Sequence, residues 1–254
     1  MALKNPKMNI YERLLEKALS QGRGRMIDDV RLGLGYTAVK LDSGQIGLGY
    51  TILEEKLSCN ILPPEVSFAG KPADVVAKYF LSANLLEAGV GLATINAILN
   101  NPREDYLLGD PLKLATITSE DRVAMVGYFE PLAQKLRNKV AELWIFERNP
   151  ARHAETLRES DMFDLLPQAT VAIITSVTLI NKTLEEIFEY LHKPREVILL
   201  GPSTPLFPEA FRDTPITILS GLLVKDEKIL TLVSEAKGTK AFKPYVEKVN
   251  LRLE

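Results

Sequence analysis

The sequence predicts an α/β protein in which a small α+β domain precedes a Rossmann-like domain, a parallel sheet with helices on both faces. Two observations carry this prediction. The second half alternates strands with helices, and strands such as 171–174 and 197–200 are apolar at every position, which is typical of burial on both faces. The polar stretch 102–121 separates the halves, so we predict domains at residues 1–105 and 106–254.

In the first half, the pattern predicts a β-hairpin covered by helices. Two β-type runs, 36–41 and 46–53, flank the turn-forming residues 42–44. Apolar residues at helical spacing predict helices over 10–19, 72–81 and 85–99. Because the last of these helices is apolar on nearly every side, we expect it to be buried.

In the second half, strand patterns alternate with helix patterns along the chain. Strands are predicted at 122–127, 142–147, 170–175, 196–200 and 216–224. The predicted helices cover 131–139, 153–159 and 184–191. A last alternating run, 246–253, is predicted to form an edge strand.

The composition is that of an ordinary globular protein, with 46% apolar residues, 25% charged residues and a net charge of -2. Lys and Arg are spread along the chain, so no basic stripe is available to neutralise a nucleic-acid backbone. No apolar run reaches membrane-helix length, and Glu12 and Glu16 fall where a signal peptide would be apolar. We therefore expect a cytoplasmic protein that binds neither nucleic acid nor membrane. Assembly as a homo-oligomer is compatible with this composition.

Soft metal ligands are few in this sequence. The one cysteine, Cys59, excludes an internal disulfide and any paired-cysteine zinc site. We interpret Cys59 as an inert small residue, because no histidine lies near it in sequence. Besides Cys59, only His153 and His192 offer the ligand atoms that heavy metals prefer.

In an open parallel sheet, ligands bind at the carboxyl ends of the strands, so the residues that follow each strand are the candidate site. The first strand of the second half is followed by Gly127, Tyr128, Phe129 and Glu130. This turn lacks the glycine-rich fingerprint of dinucleotide-binding proteins, and its aromatic side chains would keep a pyrophosphate off the backbone, so NAD binding is disfavoured. A glycine turn without any ligand explains it about equally well. If the site is catalytic, we favour Glu130 as its acid or base.

The second and third strands also end in polar residues. Glu147 stands where an acidic residue of nucleotide-binding sheets accepts hydrogen bonds from ribose, although a solvated carboxylate explains it too. The third strand runs into a polar turn whose candidate ligand-binding residues are Thr175, Ser176, Thr178 and Asn181. Thr183 and Glu186 match a capping box, which predicts a structural role for Thr183.

The fourth strand ends in the most specific motif of the sequence. Two prolines stiffen a turn that presents two hydroxyls, and such a turn is suited to holding an anionic group. The residues of the motif are Gly201, Pro202, Ser203, Thr204 and Pro205. Ser220 and Gly221 on the fifth strand complete the candidate site, because a glycine allows a ligand or a neighbouring backbone to approach closely.

In the first half, Asn96 is an amide in an apolar helix and must find hydrogen-bond partners. Either it bonds the hairpin backbone, or it faces the second domain across a cleft and contacts a ligand there. Thr37 and Thr51, one in each hairpin strand, carry the same two interpretations.

Four of these runs together resemble a prokaryotic family of uncharacterised proteins described by the words heavy-metal chelation. The runs are 91–97 (GLATINA), 126–129 (VGYF), 175–183 and 200–205 (LGPSTP). The resemblance covers almost the whole chain. It implies a first domain similar to the N-terminal domain of enolase, a Rossmann-like second domain, and a candidate active site in the cleft between them.

The residue chemistry argues against a heavy-metal site made of protein ligands alone, because such metals favour thiolate and imidazole. We therefore expect the cleft to bind or make a small chelator, or to hold a metal through that chelator. Glu130 and Glu147 would supply oxygen ligands or acid–base chemistry. An anionic group would be positioned by Ser176, Asn181, Ser203 and Thr204.

Two other functions stay open at the level of sequence. A nucleoside-binding transferase that uses S-adenosylmethionine needs a glycine turn and an acidic residue at the second strand, which Gly127 and Glu147 supply. The lack of a longer glycine-rich loop counts against it. A non-catalytic sensor would bind a metabolite at the same place to control association. The sequence leaves open whether the chain is an enzyme, because a fold does not imply a reaction.

Overall fold

The computed structural model describes residues 8–53, 62–149 and 156–253. In these residues the α-helices are α1 (Ile10–Gln21), α2 (Ala73–Ala77), α3 (Leu85–Leu99), α4 (Glu130–Leu136), α5 (Met162–Leu165), α6 (Leu184–Tyr190), α7 (Lys228–Ser234) and α8 (Thr239–Phe242). The strands are β1 (Ile27–Leu32), β2 (Tyr36–Leu41), β3 (Ile46–Tyr50), β4 (Leu107–Leu108), β5 (Arg122–Val126), β6 (Glu142–Phe146), β7 (Val171–Thr175), β8 (Glu196–Leu200), β9 (Ile218–Val224) and β10 (Val246–Arg252). The interpretations of Cys59 and His153 lie outside the described residues.

The chain divides into two compact units. The first unit comprises the residues up to Arg103 together with Pro205–Arg212 and Leu222–Glu247. The second unit comprises Glu104–Thr204, Asp213–Gly221 and the residues from Lys248 onwards. The sequence-based division at residue 105 assigns every later residue to the second domain, so the two divisions differ in the later segments of the first unit.

A three-stranded antiparallel sheet, in the order β1-β2-β3, forms the centre of the first unit. The predicted hairpin is confirmed, with Tyr36 of β2 opposite Tyr50 of β3. Sequence analysis missed β1, which pairs with the other edge of β2. Only Ile27 of β1 is buried, so this strand lacks the apolar pattern that marks the others.

Helix α3 confirms the prediction of a buried helix, since every residue from Ala88 to Leu99 is buried. It lies so close to β3 that a methyl group added at Gly47 would come within 2.1 Å of the Ala93 carbonyl oxygen. Glycine is therefore required where this helix and strand touch. The predicted helix 72–81 is α2 continued by a 3-10 turn, Lys78–Leu81.

Two short helices that sequence analysis missed complete the core of the first unit. Ile229 and Val233 of α7 and Phe242 of α8 are buried against Ala38 and Leu48 of the hairpin. These helices have seven and four residues, too few for a clear helical period in the sequence.

The second unit is built on a seven-stranded sheet in the order β4-β10-β9-β8-β7-β5-β6. The pairs from β6 through β5, β7 and β8 to β9 are parallel, so the predicted parallel sheet is confirmed. Strand β5 pairs with β6 on one side and with β7 on the other. The chain therefore adds strands first on one side of β5 and then on the other, so the strand order reverses between β5 and β7. Ala133 and Leu136 of α4 pack against the residues of these strands, as the strand–helix alternation predicts.

Strand β10 is not the edge strand that the sequence predicts. Strand β4 pairs with it in the antiparallel sense, and the Asn250 Nδ2 donates hydrogen bonds to the carbonyl oxygens of Leu107 (2.9 Å) and Gly109 (3.2 Å). The prediction is wrong because the two-residue strand β4 is too short to stand out in the sequence.

The predicted helix 153–159 is also corrected where the structure describes it. Residues 156–158 are not helical, and Leu157 instead forms an isolated parallel bridge with Phe146 at the end of β6. The helical turns begin two residues later, at Glu159–Asp161, and continue into α5.

Two buried carboxylates join the strands at the amino-terminal edge of the large sheet. Asp121 accepts hydrogen bonds from Arg195 Nη2 (2.8 Å), Thr170 Oγ1 (2.6 Å) and the Thr118 backbone (2.7 Å). Burial alone would raise the pKa of Asp121, but these bonds together outweigh it and lower the pKa to about 2. Glu196 is held in the same way by Arg252 Nη2 at 2.7 Å. This edge is thus tied together by ion pairs, and the opposite edge is the candidate site.

Candidate functional site

The carboxyl ends of β5, β7, β8 and the middle of β9 lie at one level of the large sheet. Val126 is opposite Ile174, Thr175 is opposite Leu200, and Leu200 is opposite Ser220. Gly127, Thr175, Ser176, Gly201 and Ser220 therefore lie at this level, and we call these five residues the strand-end cluster. The cluster includes the point between β5 and β7 where the strand order reverses, which is the usual ligand position in doubly wound sheets.

Glycines bring the backbones of the cluster close together. A methyl group added at Gly127 would come within 3.0 Å of the Thr175 Cβ, and Gly127 has a φ of +88°, which favours glycine. At Gly201 the φ is +139°, and its amide donates to the Ser220 carbonyl oxygen at 3.0 Å. Both glycines are thus needed for backbone conformation and for space.

Ser176 is the most unusual polar group of the cluster. Its side chain is 1% exposed, and its Oγ has no hydrogen-bond partner within the described part of the chain. The Oγ points at Gly201, where an added methyl group would lie 2.8 Å from it. A buried hydroxyl without a partner is unfavourable by about 1–3 kcal/mol. A ligand contact from Ser176 stays a prediction.

The other predicted side chains of the β7 turn have internal structural roles. Thr175 Oγ1 accepts from the Val177 amide (3.3 Å), and Thr178 Oγ1 donates to the Thr175 carbonyl oxygen (2.6 Å). Asn181 Oδ1 accepts from Thr183 Oγ1 at 2.8 Å. These bonds fix the backbone that carries Ser176.

The predicted capping box at Thr183 is wrong. Thr183 is the residue before α6, but its side chain makes no capping hydrogen bond and its backbone is already helical, with φ -95° and ψ -4°. The Thr183 hydroxyl turns back to Asn181 because that amide oxygen lies only two residues away.

The proline turn after β8 is closed by a hydrogen bond from the Thr204 amide to the Gly201 carbonyl oxygen, at 3.1 Å. Ser203 and Thr204 are 1% and 0% exposed, so their hydroxyls do not face bulk solvent. Pro202 is half-buried. The turn is therefore a rigid, buried support beside Ser176, and a ligand contact from its hydroxyls stays a prediction.

The turn after β5 is a packed structural element. Tyr128 and Phe129 are partly buried against the core of the sheet. Glu147, at the end of β6, accepts hydrogen bonds from the Tyr128 amide (3.2 Å) and the Asn149 amide (3.0 Å). Glu130 is exposed in the first turn of α4 and accepts from Gln134 Nε2 at 3.4 Å. Catalysis by Glu130 stays a prediction.

Asn96 lies in the first unit, where its Nδ2 donates to the Leu48 carbonyl oxygen of β3 at 2.8 Å. This is the hairpin contact that sequence analysis gave as its first interpretation. The hydroxyls of Thr37 and Thr51 are 3.0 Å apart and both side chains are buried. All three polar groups therefore have structural partners within the first unit.

Sequence analysis missed Lys182, which follows the β7 turn. Its φ is +63°, unusual for a residue with a side chain, and its Nζ donates to the Leu179 carbonyl oxygen at 3.0 Å. Burial lowers the pKa of Lys182 to about 8. The available signal was a lysine within a largely apolar stretch after a buried strand.

The donor set does not fit a heavy-metal site made of protein side chains alone. Among residues 8–53, 62–149 and 156–253, no group of three or more His, Cys, Asp or Glu side chains is placed to hold a metal ion. His192 is exposed.

The fold places the chain in the doubly wound α/β class, with a small antiparallel sheet in addition. Two family models match it, both described as "Putative heavy-metal chelation": DUF364 over residues 110–252 and DUF4213 over residues 11–99. The chain belongs to the DUF364 family, whose model covers more than half of its residues. The break between the two matches, residues 100–109, overlaps the first part of the polar stretch 102–121.

Two solved structures share this fold, and one curated protein is similar to the chain in sequence. A DUF364 protein of unknown function from Pyrococcus horikoshii has a TM-score of 0.85 and 23% identity, covering 96% of this chain and 100% of that chain. Another, from Desulfitobacterium hafniense DCB-2, has a TM-score of 0.81 and 25% identity, covering 96% and 97%. An uncharacterised protein of Methanocaldococcus jannaschii is 24% identical over 96% of this chain and 97% of its own length.

Among the described residues, the helices are all too short or too polar to span a bilayer. The likeness of the first unit to enolase stays a prediction.

Proposed function

We propose that the second unit binds a small oxygen-rich chelator, or a metal held by such a chelator, at the strand-end cluster. The observation that carries this proposal is the buried Ser176 Oγ, which lacks a partner among the described residues and points at Gly201. A hydroxyl so placed can donate to a carboxylate or hydroxamate oxygen of a ligand, and such oxygens are common in chelators. The family description, heavy-metal chelation, is consistent with this class of ligand.

The metal would be held chiefly by the chelator in this proposal. Heavy metals prefer sulfur and imidazole ligands, and the described residues bring no three metal-binding side chains together. The protein would then recognise the oxygens and shape of the complex, with the glycines at 127 and 201 leaving room at the backbone. Contributions from both halves of the chain, including Asn96, stay a prediction.

The test begins with native mass spectrometry and elemental analysis of freshly purified protein, the wild type beside Ser176→Ala. We expect a retained small molecule in the wild type and about tenfold or greater loss of it in the variant, because a hydrogen bond to a charged group contributes about 1.5–3 kcal/mol. The thermal stability of the variant should be unchanged or slightly higher, since the deleted hydroxyl has no partner among the described residues.

Thr170→Val is the matched control. It removes the hydroxyl that donates a hydrogen bond to the Asp121 carboxylate at the opposite edge of the same sheet. The change should therefore lower the stability of the protein without releasing the ligand. If wild-type protein retains nothing, citrate with and without Ni²⁺ serves as the probe in a thermal-shift titration. Equal ligand retention by wild type and Ser176→Ala, or no response to either probe, would contradict the proposal.

A nucleoside ligand is the second candidate, and one observation favours it. The Glu147 carboxylate stands at the end of β6 next to the Gly127 turn, bonded to the Tyr128 amide at 3.2 Å. A carboxylate at this position is of the type that accepts hydrogen bonds from ribose hydroxyls in nucleotide-binding sheets. Stabilisation by S-adenosylhomocysteine that is lost in Glu147→Ala would favour the nucleoside over the chelator.

A further inference from the structure

Strand β1 is an edge of the small antiparallel sheet, and part of its outer side is open. A loop covers the start of this side, because the Ile27 amide donates to the Lys71 carbonyl oxygen at 2.9 Å and the Gly70 amide donates to the Ile27 carbonyl oxygen at 2.8 Å. Further along, no strand in the described part of the chain pairs with residues 29–32 on their outer side. We call residues 29–32 the open edge.

The backbone groups of Val30 and Leu32 point outwards from the open edge. The Gly33 amide donates to the Tyr36 carbonyl oxygen of β2 at 2.9 Å, and in an antiparallel pair the residues that bond the partner strand alternate with those that do not. Gly33 therefore bonds β2, as do the residues two and four positions before it, while Val30 and Leu32 face away. Outward amide and carbonyl groups of this kind are a template for another strand.

The opposite edge of the same sheet, β3, is covered by the chain itself. Helix α3 lies against it, and Asn96 Nδ2 donates to the outward carbonyl oxygen of Leu48 at 2.8 Å. The open edge instead carries an exposed apolar side chain, Leu32, which is 43% exposed, and the next turn adds Leu34, which is 65% exposed. The two edges of the small sheet thus differ in how well they are covered.

We propose that the open edge pairs with the open edge of a second copy of this chain, in the antiparallel sense and about a two-fold axis at Val30. Such pairing joins the three-stranded sheets of two copies into one six-stranded sheet, with backbone hydrogen bonds between the two Val30 residues. Both copies use the same surface, as in most soluble dimers. The interface lies in the first unit and does not depend on the ligand proposed for the second unit.

Charge complementarity favours a second copy as the occupant of the open edge. Asp29 and Arg31 lie on either side of Val30, and their side chains share one face, with Arg31 Nη2 2.7 Å from Asp29 Oδ2. In antiparallel pairing about Val30, Asp29 of each copy lies directly opposite Arg31 of the other. Unlike charges at directly opposite positions stabilise a sheet, whereas like charges destabilise it. The open edge is therefore complementary to itself.

Protection of the edge is the competing explanation, because charged side chains and β-bulges commonly keep edge strands apart. A bulge does interrupt the β1 pairing between Ile27 and Asp29. The two explanations differ in the effect of reversing one charge. Charges that only repel other strands leave a monomer before and after the reversal, whereas charges that pair two copies separate them when one is reversed.

The experiment measures the mass of the full chain, 28.3 kDa for one copy, by gel filtration with light scattering. We expect twice this mass for the wild type. Asp29→Arg and Arg31→Asp should each raise the dissociation constant at least about tenfold, because each places like charges opposite one another. An equal mixture of the two variants should regain the dimer, since each supplies the charge that the other lacks. Neither variant recovers its internal ion pair on mixing, so this recovery reports contact between copies.

Leu32→Lys should also separate the copies, because it places a lysine on the open edge. Leu108→Lys is the matched control, since Leu108 is 67% exposed on β4, an edge strand of the large sheet, and it should leave the mass unchanged. A wild-type chain that stays monomeric at about 0.1 mM would overturn the inference, and so would a dimer that none of the three β1 variants weakens. If circular dichroism shows that a charge variant is unfolded, the comparison of Leu32→Lys with Leu108→Lys decides.

Discussion

At the scale of single residues, the strand-end cluster depends on positions that only glycine can fill. Gly127 combines a left-handed backbone, with φ +88°, and close contact with the Thr175 side chain. The sequence marks this glycine as a turn residue, but the contact with Thr175 joins positions on different strands. The residues packed against a glycine therefore decide whether it is required by its backbone conformation alone or also by lack of space for a side chain.

We predict that Gly127→Ala lowers the free energy of unfolding by about 1–3 kcal/mol, because it adds backbone strain to a steric overlap with Thr175. Urea unfolding followed by circular dichroism measures the change. Gly109→Ala is the control in the same unit, since Gly109 also has a left-handed backbone (φ +102°) but has nothing within 4 Å of an added methyl group. Equal losses in the two variants would show that the overlap with Thr175 is unimportant.

Burial changes the properties of two polar side chains, Ser176 and Lys182. Neither side chain belongs to a sequence motif with a known chemistry, and their significance comes from burial. Burial removes water, so that a hydroxyl without a partner becomes unfavourable and an amine loses part of its affinity for a proton.

At the scale of elements, the two edges of the large sheet have different roles. The amino-terminal edge is closed by the pairs Asp121–Arg195 and Glu196–Arg252. The first pair links the starts of β5 and β8 and the second links β8 to β10, each across the strand that lies between them. Polar groups on this edge have partners, so it contributes stability. The carboxyl-terminal edge carries the buried hydroxyl of Ser176, and ligand binding at this edge stays a prediction.

We predict that Asp121→Asn destabilises the protein by about 2 kcal/mol at pH 7, because it weakens a charged hydrogen-bond network. The pKa of Asp121 is lower in the folded chain, about 2, than its ordinary value, so its stabilising effect is complete above about pH 5 and is lost as the pH falls towards 2. The difference between wild type and variant in urea unfolding should therefore shrink between pH 5 and pH 2.5. Glu120→Gln, an exposed neighbouring change, is the control, and a difference that is constant over this range would contradict the pKa assignment.

At the scale of the whole molecule, the first unit is assembled from distant parts of the sequence. Its core joins Ala38 and Leu48 of the hairpin to Ile229, Val233 and Phe242, almost two hundred residues later. The first 105 residues alone would therefore expose a large part of that core to water, and the buried apolar area would not offset the loss of chain entropy.

We predict that a fragment of residues 1–105 does not unfold cooperatively, while the full chain does, as measured by thermal circular dichroism. In the full chain, Phe242→Ala should lower the stability of the first unit by about 3–5 kcal/mol, the usual loss for a buried aromatic side chain. Phe163→Ala is the control, because Phe163 is 53% exposed. A cooperative transition in the fragment would mean that the first unit does not need its later segments.

The sequence by itself determined the parallel sheet, the hairpin, the buried helix and the position of the candidate residues along the chain. These features follow from local patterns: apolar runs mark strands buried on both faces, and glycine and proline mark the turns between elements. Because ligands bind at the carboxyl ends of parallel strands, residues 127, 175–176 and 201 were predicted to be among the candidate ligand-binding residues. The composition also indicated, without coordinates, that soft metal ligands are few.

Only the tertiary structure decided which of these side chains have hydrogen-bond partners within the described part of the chain and which do not. Thr175, Thr178 and Asn181 look like ligand-binding residues in the sequence, yet each bonds its own turn, while Ser176 beside them bonds nothing in the described chain. The strand order, the membership of α7 and α8 in the first unit and the burial of Lys182 were decided in the same way. The physical reason is that hydrogen-bond partners and burial depend on contacts between residues far apart in the chain. A local sequence pattern does not specify those contacts.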